Sequence, residues 1–457
     1  MNKVIKQLRD FPSIEELLQH KKISEALAPI PRPLAVILVR ESVAAAKKTF
    51  SSGKEEVSLQ KLVNRIIGDI ETHRRRRIGR VINATGVVVH TNLGRAPLST
   101  SLFDSIKETV TGYGNIEFEL QTGVRGGRGG ACEQYLALLS EAERATVVNN
   151  CAAALFVTLN TFANRKNVII SRGELVQIGG GFRIPDILKK SGAKLHEIGT
   201  TNITKLKDYE AAIDERTGLI LKVHQSNFVQ RGFTEGVALK ELVSLGKKHQ
   251  VMVVNDLGSG VFVPTREVLG YAEPTVQQSV RDGADVTCFS GDKMLGGCQA
   301  GLIVGKAPLV DKIKKNPLFR TVRADKIVFS MLERLLSYYL DGTWQKEIKL
   351  WALLTIPESE LYKRGKAVLK EAGNPSGVSV EATKAYVGGG ALPESNIPSV
   401  GIVFSKELKA VDLISKFRNQ TVPIIGRIDD DRFILDLKAV DAEDLPLIRQ
   451  AITEILP

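Results

Sequence analysis

Apolar residues follow two different spacings along the chain. Within residues 1–63 they recur at helix-like spacing on both sides of a proline-rich break at 29–33, which predicts a small helical module. From Ile82 onward, short β-branched runs alternate with stretches of helical spacing. Strands that alternate with helices form a largely parallel sheet covered on both faces, so the sequence predicts an α/β fold for this larger part.

Seven strands are predicted in this sheet. They are 145–149, 167–171, 194–198, 219–224, 251–255, 285–289 and 301–305, with helices expected between most of them, for example at 152–162 and 239–249. In such sheets the ligand lies at the carboxyl ends of the strands, where the loops converge. Residues that follow these strands are therefore the first candidates for chemistry.

The last part of the chain has a different pattern. A long helix at 332–340 and a helical stretch near 344–354 precede a βαβ-like segment with strands at 399–404 and 432–436. This pattern predicts a smaller C-terminal α+β domain. The expected domains are, in order, a helical domain at 1–65, a basic linker and arm at 66–95, a catalytic domain at 96–335 and the C-terminal domain at 336–457.

Composition excludes several classes of protein. The chain has 457 residues, of which 43% are apolar and 25% charged, as in globular proteins. Its apolar runs are far shorter than the roughly 20 residues of a membrane-spanning helix, and its first residues lack the apolar stretch of a secretory signal. Four cysteines without a CxxC pair indicate a reducing compartment and argue against a zinc site. We expect a cytoplasmic protein without a membrane segment and without a metal.

Basic residues are concentrated at the start of the chain. The net charge is +12, and residues 1–80 alone contribute +8, including four consecutive arginines at 74–77. Such an excess favours contacts with the phosphates of a nucleic acid. A solubilising basic surface would also explain the excess, and a solvated helix face would explain the arginine run. Charge alone leaves these alternatives open.

The sixth predicted strand leads into the strongest candidate for catalysis. Residues 285–297 read DVTCFSGDKMLGG, so Lys293 stands among small residues just after an apolar strand. A lysine that is buried there can lose its proton and form a Schiff base, and Ser290 could hydrogen-bond a phosphate beside it. The alternative is an exposed loop lysine.

Two other strand ends carry groups that fit the same chemistry. Asp256 follows the fifth strand and could pair with the ring nitrogen of pyridoxal phosphate, which would keep the ring protonated as an electron sink. It could equally be a helix N-cap. After the first strand, Asn150, Cys151 and Ala152 could form a helix N-terminus that binds a phosphate, although small residues there also serve simple packing.

The order of these three elements favours one class of enzyme. The phosphate site comes first, the carboxylate follows about 105 residues later, and the lysine about 37 residues after that. This order is typical of fold-type I pyridoxal phosphate enzymes. The sequence therefore predicts pyridoxal 5′-phosphate as the cofactor, held by a fold-type I domain between a helical N-terminal domain and a C-terminal α+β domain.

Longer motifs resemble one family within that class, the bacterial selenocysteine synthases or L-seryl-tRNA(Sec) selenium transferases. The motifs are INATGVVVHTNLGRAPL at 82–98, SRGELVQIGGGFRIPD at 171–186, KVHQSN at 222–227 and SGDKMLGGCQAG at 290–301. The resemblance covers nearly the whole chain, including the N-terminal module. One departure is Cys298, which stands where the family usually has proline.

The resemblance implies roles for individual residues. Lys293 is the lysine that binds the cofactor, and Asp256 is the partner of its ring nitrogen. The family presents arginines to selenophosphate, and these match Arg95, Arg320 and Arg323. Planar guanidinium groups bind small oxyanions well, which agrees with this role. The remaining candidates are Arg128 and Arg125 as further anion ligands, and His224 or Phe182 as the residue that stacks on the cofactor ring.

The resemblance also implies an activity. The family converts L-seryl-tRNA(Sec) to L-selenocysteinyl-tRNA(Sec), by β-elimination of water and addition of selenium from selenophosphate. Residues 1–65 would bind the tRNA, and the chain would form a homodecamer with active sites shared between subunits. One alternative is a small-molecule lyase of the same fold, and another is a non-enzymatic RNA-binding protein that kept the fold.

Overall fold

The structure is a computed structural model that describes residues 4–52, 58–178, 181–392 and 395–456, without the side chains of Ile178 and Phe182. It divides the chain into two compact units, residues 1–80 and 81–457. In the part of the chain that is described, no helix is both long enough and apolar enough to cross a membrane.

The first unit contains the four N-terminal helices of the chain. They are α1 (Ile14–Gln19), α2 (Lys21–Leu27), α3 (Arg32–Ser51) and α4 (Leu59–Arg75). Ser13 caps α1 by accepting a hydrogen bond from the amide of Glu16, and Ser58 caps α4 in the same way through Lys61. Apolar residues of all four helices form one core, which confirms the helical prediction for this segment. Val57, which the sequence pattern also places in a helix, lies outside the described residues.

This unit extends beyond the expected boundary at residue 65. The helix α4 continues to Arg75, and Ile66 and Ile70 are fully buried in the core of the unit. The compact unit ends at Arg80. Residues 66–75 are therefore helical rather than a linker, because two of their side chains are needed to fill the core.

The second unit contains eighteen strands within its described residues. They are β1 (Ile82–Asn83), β2 (Val87–Val89), β3 (Phe118–Glu119), β4 (Val124–Arg125), β5 (Arg144–Val148), β6 (Asn167–Ser171), β7 (Gln177–Ile178), β8 (Phe182–Arg183), β9 (Lys194–Ile198), β10 (Thr217–Val223), β11 (Met252–Gly258), β12 (Val286–Ser290), β13 (Gly301–Gly305), β14 (Val378–Gly388), β15 (Ile397–Phe404), β16 (Ile424–Ile425), β17 (Arg427–Asp429) and β18 (Arg432–Asp436).

Fifteen α-helices accompany these strands in the described part of the unit. They are α5 (Thr100–Thr111), α6 (Gly130–Ser140), α7 (Cys151–Ala163), α8 (Ile184–Lys190), α9 (Leu206–Ala212), α10 (Leu239–His249), α11 (Thr265–Leu269), α12 (Val276–Arg281), α13 (Ala307–Lys315), α14 (Lys326–Leu340), α15 (Trp344–Glu347), α16 (Lys349–Leu354), α17 (Glu358–Glu371), α18 (Ala410–Arg418) and α19 (Leu445–Ile455).

The large sheet has seven strands in the order β5-β13-β12-β11-β10-β6-β9. Only β13 is antiparallel to its neighbours, and the remaining pairs are parallel. Every residue of β12 and β13 is buried, as expected for strands covered on both faces. All seven predicted strands are present with small shifts at their ends, so the predicted α/β fold is confirmed.

The C-terminal sheet differs from the prediction. Its order is β17-β18-β15-β14-β2, and β15 and β18 are antiparallel, so the expected βαβ-like segment is wrong. The chain reverses after α18 through a two-residue turn between β17 and β18, where Asp430 and Asp431 both have positive φ. Such turns require φ > 0 at both central residues, which Asp tolerates better than most side chains.

Two expected boundaries fall inside continuous structure. Instead of an arm, residues 81–89 supply β1 and β2, which pair in parallel with β16 and β14 of the C-terminal part. Position 336 lies within α14, where Leu335 and Leu336 are both buried. The catalytic and C-terminal parts therefore share secondary structure, and residues 81–457 form one compact unit.

Candidate active site

A cavity of about 230 Å³ lies at the carboxyl ends of β5, β10, β11 and β12. Parallel strands bring their carboxyl ends to one edge, which places residues from distant parts of the sequence together. Eight of the candidate residues line this cavity: Arg95, Asn150, Cys151, Ala152, His224, Asp256, Ser290 and Lys293.

Lys293 is buried and lies in the turn that follows β12. Only 6% of its surface is exposed. The turn is held in place because the amide of Met294 donates to the carbonyl of Ser259 at 3.0 Å, and the amide of Gly296 donates to the carbonyl of Lys293 at 2.9 Å. The lysine is therefore not the exposed loop residue of the alternative interpretation.

Gly390 lies against the Lys293 side chain. A Cβ atom at this position would be 2.6 Å from both Cε and Nζ of Lys293, and the φ of +97° is one that other residues rarely adopt. The segment 388–390 has the sequence of an ordinary glycine-rich loop, yet it forms one wall beside the amine. A side chain at 390 would displace the lysine.

We expect Gly390→Ala to fold but to lose activity. The flexible lysine can move away from the added methyl group, and a displacement of about 1 Å at a reacting atom can reduce turnover about a hundredfold. The matched control is Gly373→Ala, which has a similar φ of +85° but no atom within 4 Å of the added Cβ. Turnover and cofactor content of the two variants are compared, and equal values would contradict the contact.

Asp256 is buried in β11, next to Cys151. Burial raises the pKa of Asp256 to about 6, while the Lys293 ammonium and a contact from the Cys151 thiol act in the opposite direction. The thiol sulfur is 3.6 Å from Oδ1 of Asp256. Burial raises the pKa of Cys151 well above its usual value, so this thiol stays protonated and can donate to the carboxylate. A cation beside Asp256 would stabilise its ionised form.

The helix α7 begins at the cavity with groups that suit a phosphate. Asn150 is its N-cap and accepts a hydrogen bond from the amide of Ala153 at 2.8 Å. The first amides of a helix, here those of Cys151 and Ala152, have no partner within the helix and favour an anion. A Cβ at Gly301 of β13 would collide with the carbonyl of Asn150, so glycine is required there.

Asp292 connects Arg95 to the lysine turn. Its Oδ1 accepts a hydrogen bond from the Ser290 hydroxyl at 2.7 Å and lies 3.2 Å from Nη1 of Arg95. Its carbonyl accepts from the amide of Ala96 at 3.1 Å. Ser290 therefore donates its proton to a carboxylate, and Arg95 is the one arginine among the described residues that line the cavity.

The other candidate arginines contact Glu117 or lie at the surface. Nε of Arg128 is 2.7 Å from Oε1 of Glu117, Nη1 of Arg323 is 3.0 Å from the same oxygen, and Arg125 binds the second oxygen at 2.9 Å. These contacts, led by the hydrogen bond from Arg128, lower the pKa of Glu117. The backbone of Arg323 pairs with Val148 near the phosphate site, but its guanidinium binds Glu117. Arg320 is exposed.

Comparisons with known proteins bear on this site. The family model described as L-seryl-tRNA selenium transferase matches residues 81–441. The chain belongs to this family. It is 41% identical over 460 residues to the L-seryl-tRNA(Sec) selenium transferase of Aquifex aeolicus strain VF5, and the alignment covers 100% of both chains. It is 42% identical over 454 residues to the enzyme of the same name from Geotalea uraniireducens strain Rf4, covering 97% of this chain and 98% of the relative.

A solved structure supports the fold. The structure of D-glucosaminate-6-phosphate ammonia-lyase aligns with a TM-score of 0.62 at 17% identity, and the alignment covers 84% of this chain and 98% of that one. At this identity the similarity concerns the fold alone. The predicted fold-type I architecture of this selenium transferase family member is confirmed, as is the predicted family.

The cavity fits the cofactor that a fold-type I enzyme of the selenium transferase family uses. Pyridoxal phosphate needs an amine for its aldehyde, an acid for its ring nitrogen and donors for its phosphate. Lys293, Asp256 and the first amides of α7 supply these groups around one cavity. Within the described residues, no group of three or more His, Cys, Asp or Glu side chains is arranged to hold a metal ion.

In this family member, His224 is one of the residues that line the cofactor cavity. Burial lowers its pKa to about 4, although the contact of Nδ1 with the carbonyl of Leu257 at 3.2 Å acts in the opposite direction. The ring is therefore neutral near pH 7. Because a carbonyl only accepts, Nδ1 carries the proton and Nε2 is an acceptor. The side chain of Phe182, the other candidate for ring stacking, lies outside the described residues.

Three charged residues beside the cofactor cavity are not predicted individually from the sequence. Glu174 and Lys222, from two of the selenium transferase motifs, form an ion pair at 2.5 Å, and Glu174 also accepts from the amide of Val223 at 2.9 Å. Glu273 is buried behind His224, with Oε1 3.5 Å from Nδ1. Motif length marks the first pair, but nothing near position 273 distinguishes that glutamate from a surface residue.

Proposed function

We propose that this protein converts L-seryl-tRNA(Sec) to L-selenocysteinyl-tRNA(Sec), with pyridoxal 5′-phosphate as cofactor and selenophosphate as selenium donor. The observation that carries the proposal is the cavity that unites Lys293, Asp256 and the start of α7, in a chain that matches the selenium transferases over its whole length. The name that the relatives share supports seryl-tRNA(Sec) as the substrate. The residues that line the cavity support pyridoxal phosphate chemistry.

Three groups would hold the cofactor. Lys293 would bind its aldehyde carbon, Asp256 its ring nitrogen, and the amides of Cys151 and Ala152 its phosphate, beside the capping residue Asn150. When bound, pyridoxal phosphate supplies an electron sink for the negative charge that develops at Cα of the seryl group. Asp256 would stabilise the protonated form of the ring, because an opposite charge this close shifts a pKa by about 1–3 units.

Lys293 moves the proton in this scheme. Once the substrate amine has replaced Lys293 at the cofactor, Nζ of Lys293 removes the α-proton of the seryl group. The β-hydroxyl then leaves as water. Burial of the lysine and of Asp256 keeps bulk water away from this exchange. Selenium of selenophosphate then adds to the β-carbon, Nζ of Lys293 returns a proton to Cα, and water cleaves the P–Se bond, so that phosphate is released.

Arg95 would bind the selenium donor, so we expect Arg95→Ala to slow selenium addition more than dehydration. Loss of one charged donor to a reacting oxyanion reduces a rate about 10²- to 10³-fold. Dehydration of the seryl group is measured without selenophosphate. Selenium incorporation is measured with labelled selenophosphate. Arg320→Ala and Arg323→Ala are the comparison, because neither arginine lines the cofactor cavity of its own chain. Equal losses in both steps would contradict a donor site at Arg95.

The remaining features concern partners. The basic first unit, with its exposed arginines 74–77, would select the tRNA body by phosphate contacts and shape, since the aminoacylated end is shared with other tRNAs. We further propose a homodecamer in the cytoplasm. Its active sites would be shared between subunits, as the resemblance to the family implies.

Conversion of purified seryl-tRNA(Sec) tests the proposal directly. We expect selenocysteinyl-tRNA only when selenophosphate is supplied, and a dehydrated aminoacyl-tRNA when it is withheld. Ordinary seryl-tRNA with the same terminal sequence serves as the control substrate. Absence of any change in seryl-tRNA(Sec), by a protein that has bound the cofactor, would refute the proposed function.

A further inference from the structure

A second cavity opens directly beside the cofactor cavity. Its volume is about 490 Å³, within the usual range of about 300–1,000 Å³ for ligand sites. The two cavities share Val223, the last residue of β10, and His224, which follows it. Any group bound here therefore lies next to the reacting atoms. Neither the family match nor the proposed chemistry assigns an occupant to it.

The charges of this second cavity disfavour an anion. Its lining contains Glu174, Glu235 and Glu273 but a single lysine, Lys222, whose ammonium is already paired with Glu174 at 2.5 Å. No arginine occurs among the described residues that line it. A phosphate or selenophosphate would find no unpaired cation among these lining residues, even though Glu235 is itself 3.6 Å from Lys205 and burial raises the pKa of Glu273 to about 7. The donor fits the other cavity, where Arg95 lies.

Two aromatic rings in the lining suit a flat, uncharged ligand. Phe228 is half-buried at the edge of the core, and Tyr271 is 36% exposed. The hydroxyl of Tyr271 donates to the carbonyl of Asn396 at 3.1 Å and accepts from its amide at 3.2 Å, which fixes the ring. Aromatic rings of this kind are the usual stacking surfaces for nucleobases.

Two glutamines add polar contacts of defined direction. The side-chain nitrogen of Gln225 donates to the carbonyl of Gly173 at 2.7 Å, and that of Gln230 donates to the carbonyl of Thr201 at 2.8 Å. Each amide is thereby oriented, and its side-chain oxygen remains an acceptor on a residue that lines the cavity. Acceptors match the exocyclic amine of adenine and the hydroxyl of a ribose.

The length of an aminoacyl ester places a nucleoside at this position. The amine of the seryl group must reach the site of Lys293, and only three bonds, about 4 Å, separate it from the ribose oxygen. The terminal ribose of the tRNA must therefore border the cofactor cavity. The second cavity does so through His224 and has room for the nucleoside.

We infer that this second cavity binds the terminal adenosine of the aminoacylated tRNA, with its base against Phe228 and Tyr271. The inference rests on the proposed function. It assigns the two substrates to different cavities: the uncharged base and ribose bind in the second cavity, with the 5′-phosphate that joins them to the tRNA outside it, and the anionic selenium donor binds at Arg95.

The test measures how much the nucleoside adds to binding. The holoenzyme is titrated with serinamide and with 3′-(L-serylamino)-3′-deoxyadenosine, a stable amide in place of the ester, and the change in cofactor absorbance gives both dissociation constants. In the wild type, we expect the conjugate to bind about ten- to a hundredfold more tightly, the range for stacking of one base. The same titrations are made with Phe228→Ala, and with Phe233→Ala as matched control, because Phe233 is 93% exposed on the same loop but does not line the cavity.

The ratio of the two constants decides the outcome. We expect Phe228→Ala to reduce the ratio to within about twofold of unity and Phe233→Ala to keep the wild-type ratio. A wild-type ratio near one, an equal effect of the two variants, or competition by inorganic phosphate that Phe228→Ala removes would overturn the assignment. The wild-type ratio requires no substitution, so it stands even if a variant misfolds. Failure of the proposed function is separate, because it appears as absence of seryl-tRNA(Sec) conversion.

Discussion

Lys293→Ala is expected to remove both the covalent attachment of the cofactor and conversion of seryl-tRNA. The amine is buried and is the lysine that lines the cavity with Asp256 among the described residues. In the proposed function it has two tasks, to bind the cofactor and to take the α-proton, and loss of a group with both roles reduces turnover by about 10⁴-fold or more. Borohydride reduction followed by peptide mapping shows which residue is attached, and tRNA conversion gives the rate.

Lys306→Ala is the matched control for this variant. Lys306 also follows a strand of the large sheet, β13, but it is half-exposed and pairs with Asp285 at 2.5 Å. We expect this control to retain both the attached cofactor and the activity. A reduced adduct that maps to a lysine other than Lys293 would refute the assignment.

Removal of residues 1–80 is expected to abolish tRNA conversion while the cofactor remains bound. The cut follows the compact unit, because a cut at residue 65 would divide α4 and expose Ile66 and Ile70. All residues that line the cofactor cavity lie in residues 81–457. We expect kcat/KM for seryl-tRNA(Sec) to fall about a thousandfold or more, since phosphate contacts supply much of the affinity for nucleic acid.

Two controls separate tRNA binding from misfolding. Cofactor absorbance and the melting temperature of the shortened protein show whether the catalytic unit is intact. In the full chain, replacing the four arginines 74–77 with glutamine should weaken tRNA binding and reduce its dependence on salt, by roughly 0.7–0.9 in logarithmic slope for each phosphate that is no longer neutralised. Conversion of seryl-tRNA(Sec) at an unchanged rate after truncation would show that this unit does not select the tRNA.

The large sheet could be predicted because its strands leave strong local signals. Strands buried on both faces appear as continuous apolar runs, as in β12 and β13, and each is followed by glycines or polar residues where it ends. The candidate residues lie near the same ends, so the sequence could propose Lys293 and Asp256, which both line the cavity. Local sequence was sufficient for this prediction because the strand itself carries the residue to the edge of the sheet.

Contacts between distant segments could not be predicted in this way. β2 pairs with β14, although nearly 300 residues of sequence separate them. A strand of three residues is too short for its sequence pattern to indicate which strand it pairs with. The arginine motif around Arg128 predicts an anion, but not that the anion is the carboxylate of Glu117. Tertiary position decides such pairings, and periodicity carries information only about which face of an element is buried.

The antiparallel strand β13 has a consequence for how the site tolerates change. It lies between β5, which leads into Asn150, and β12, which leads into Lys293, and it is hydrogen-bonded to both. Neighbouring strands are about 4.8 Å apart, so the two proposed anchors of the cofactor are separated by a length fixed in the peptide backbone. Insertions in surface loops can lengthen the chain without altering that distance, whereas a shift in the pairing of this one strand would misplace both anchors at once.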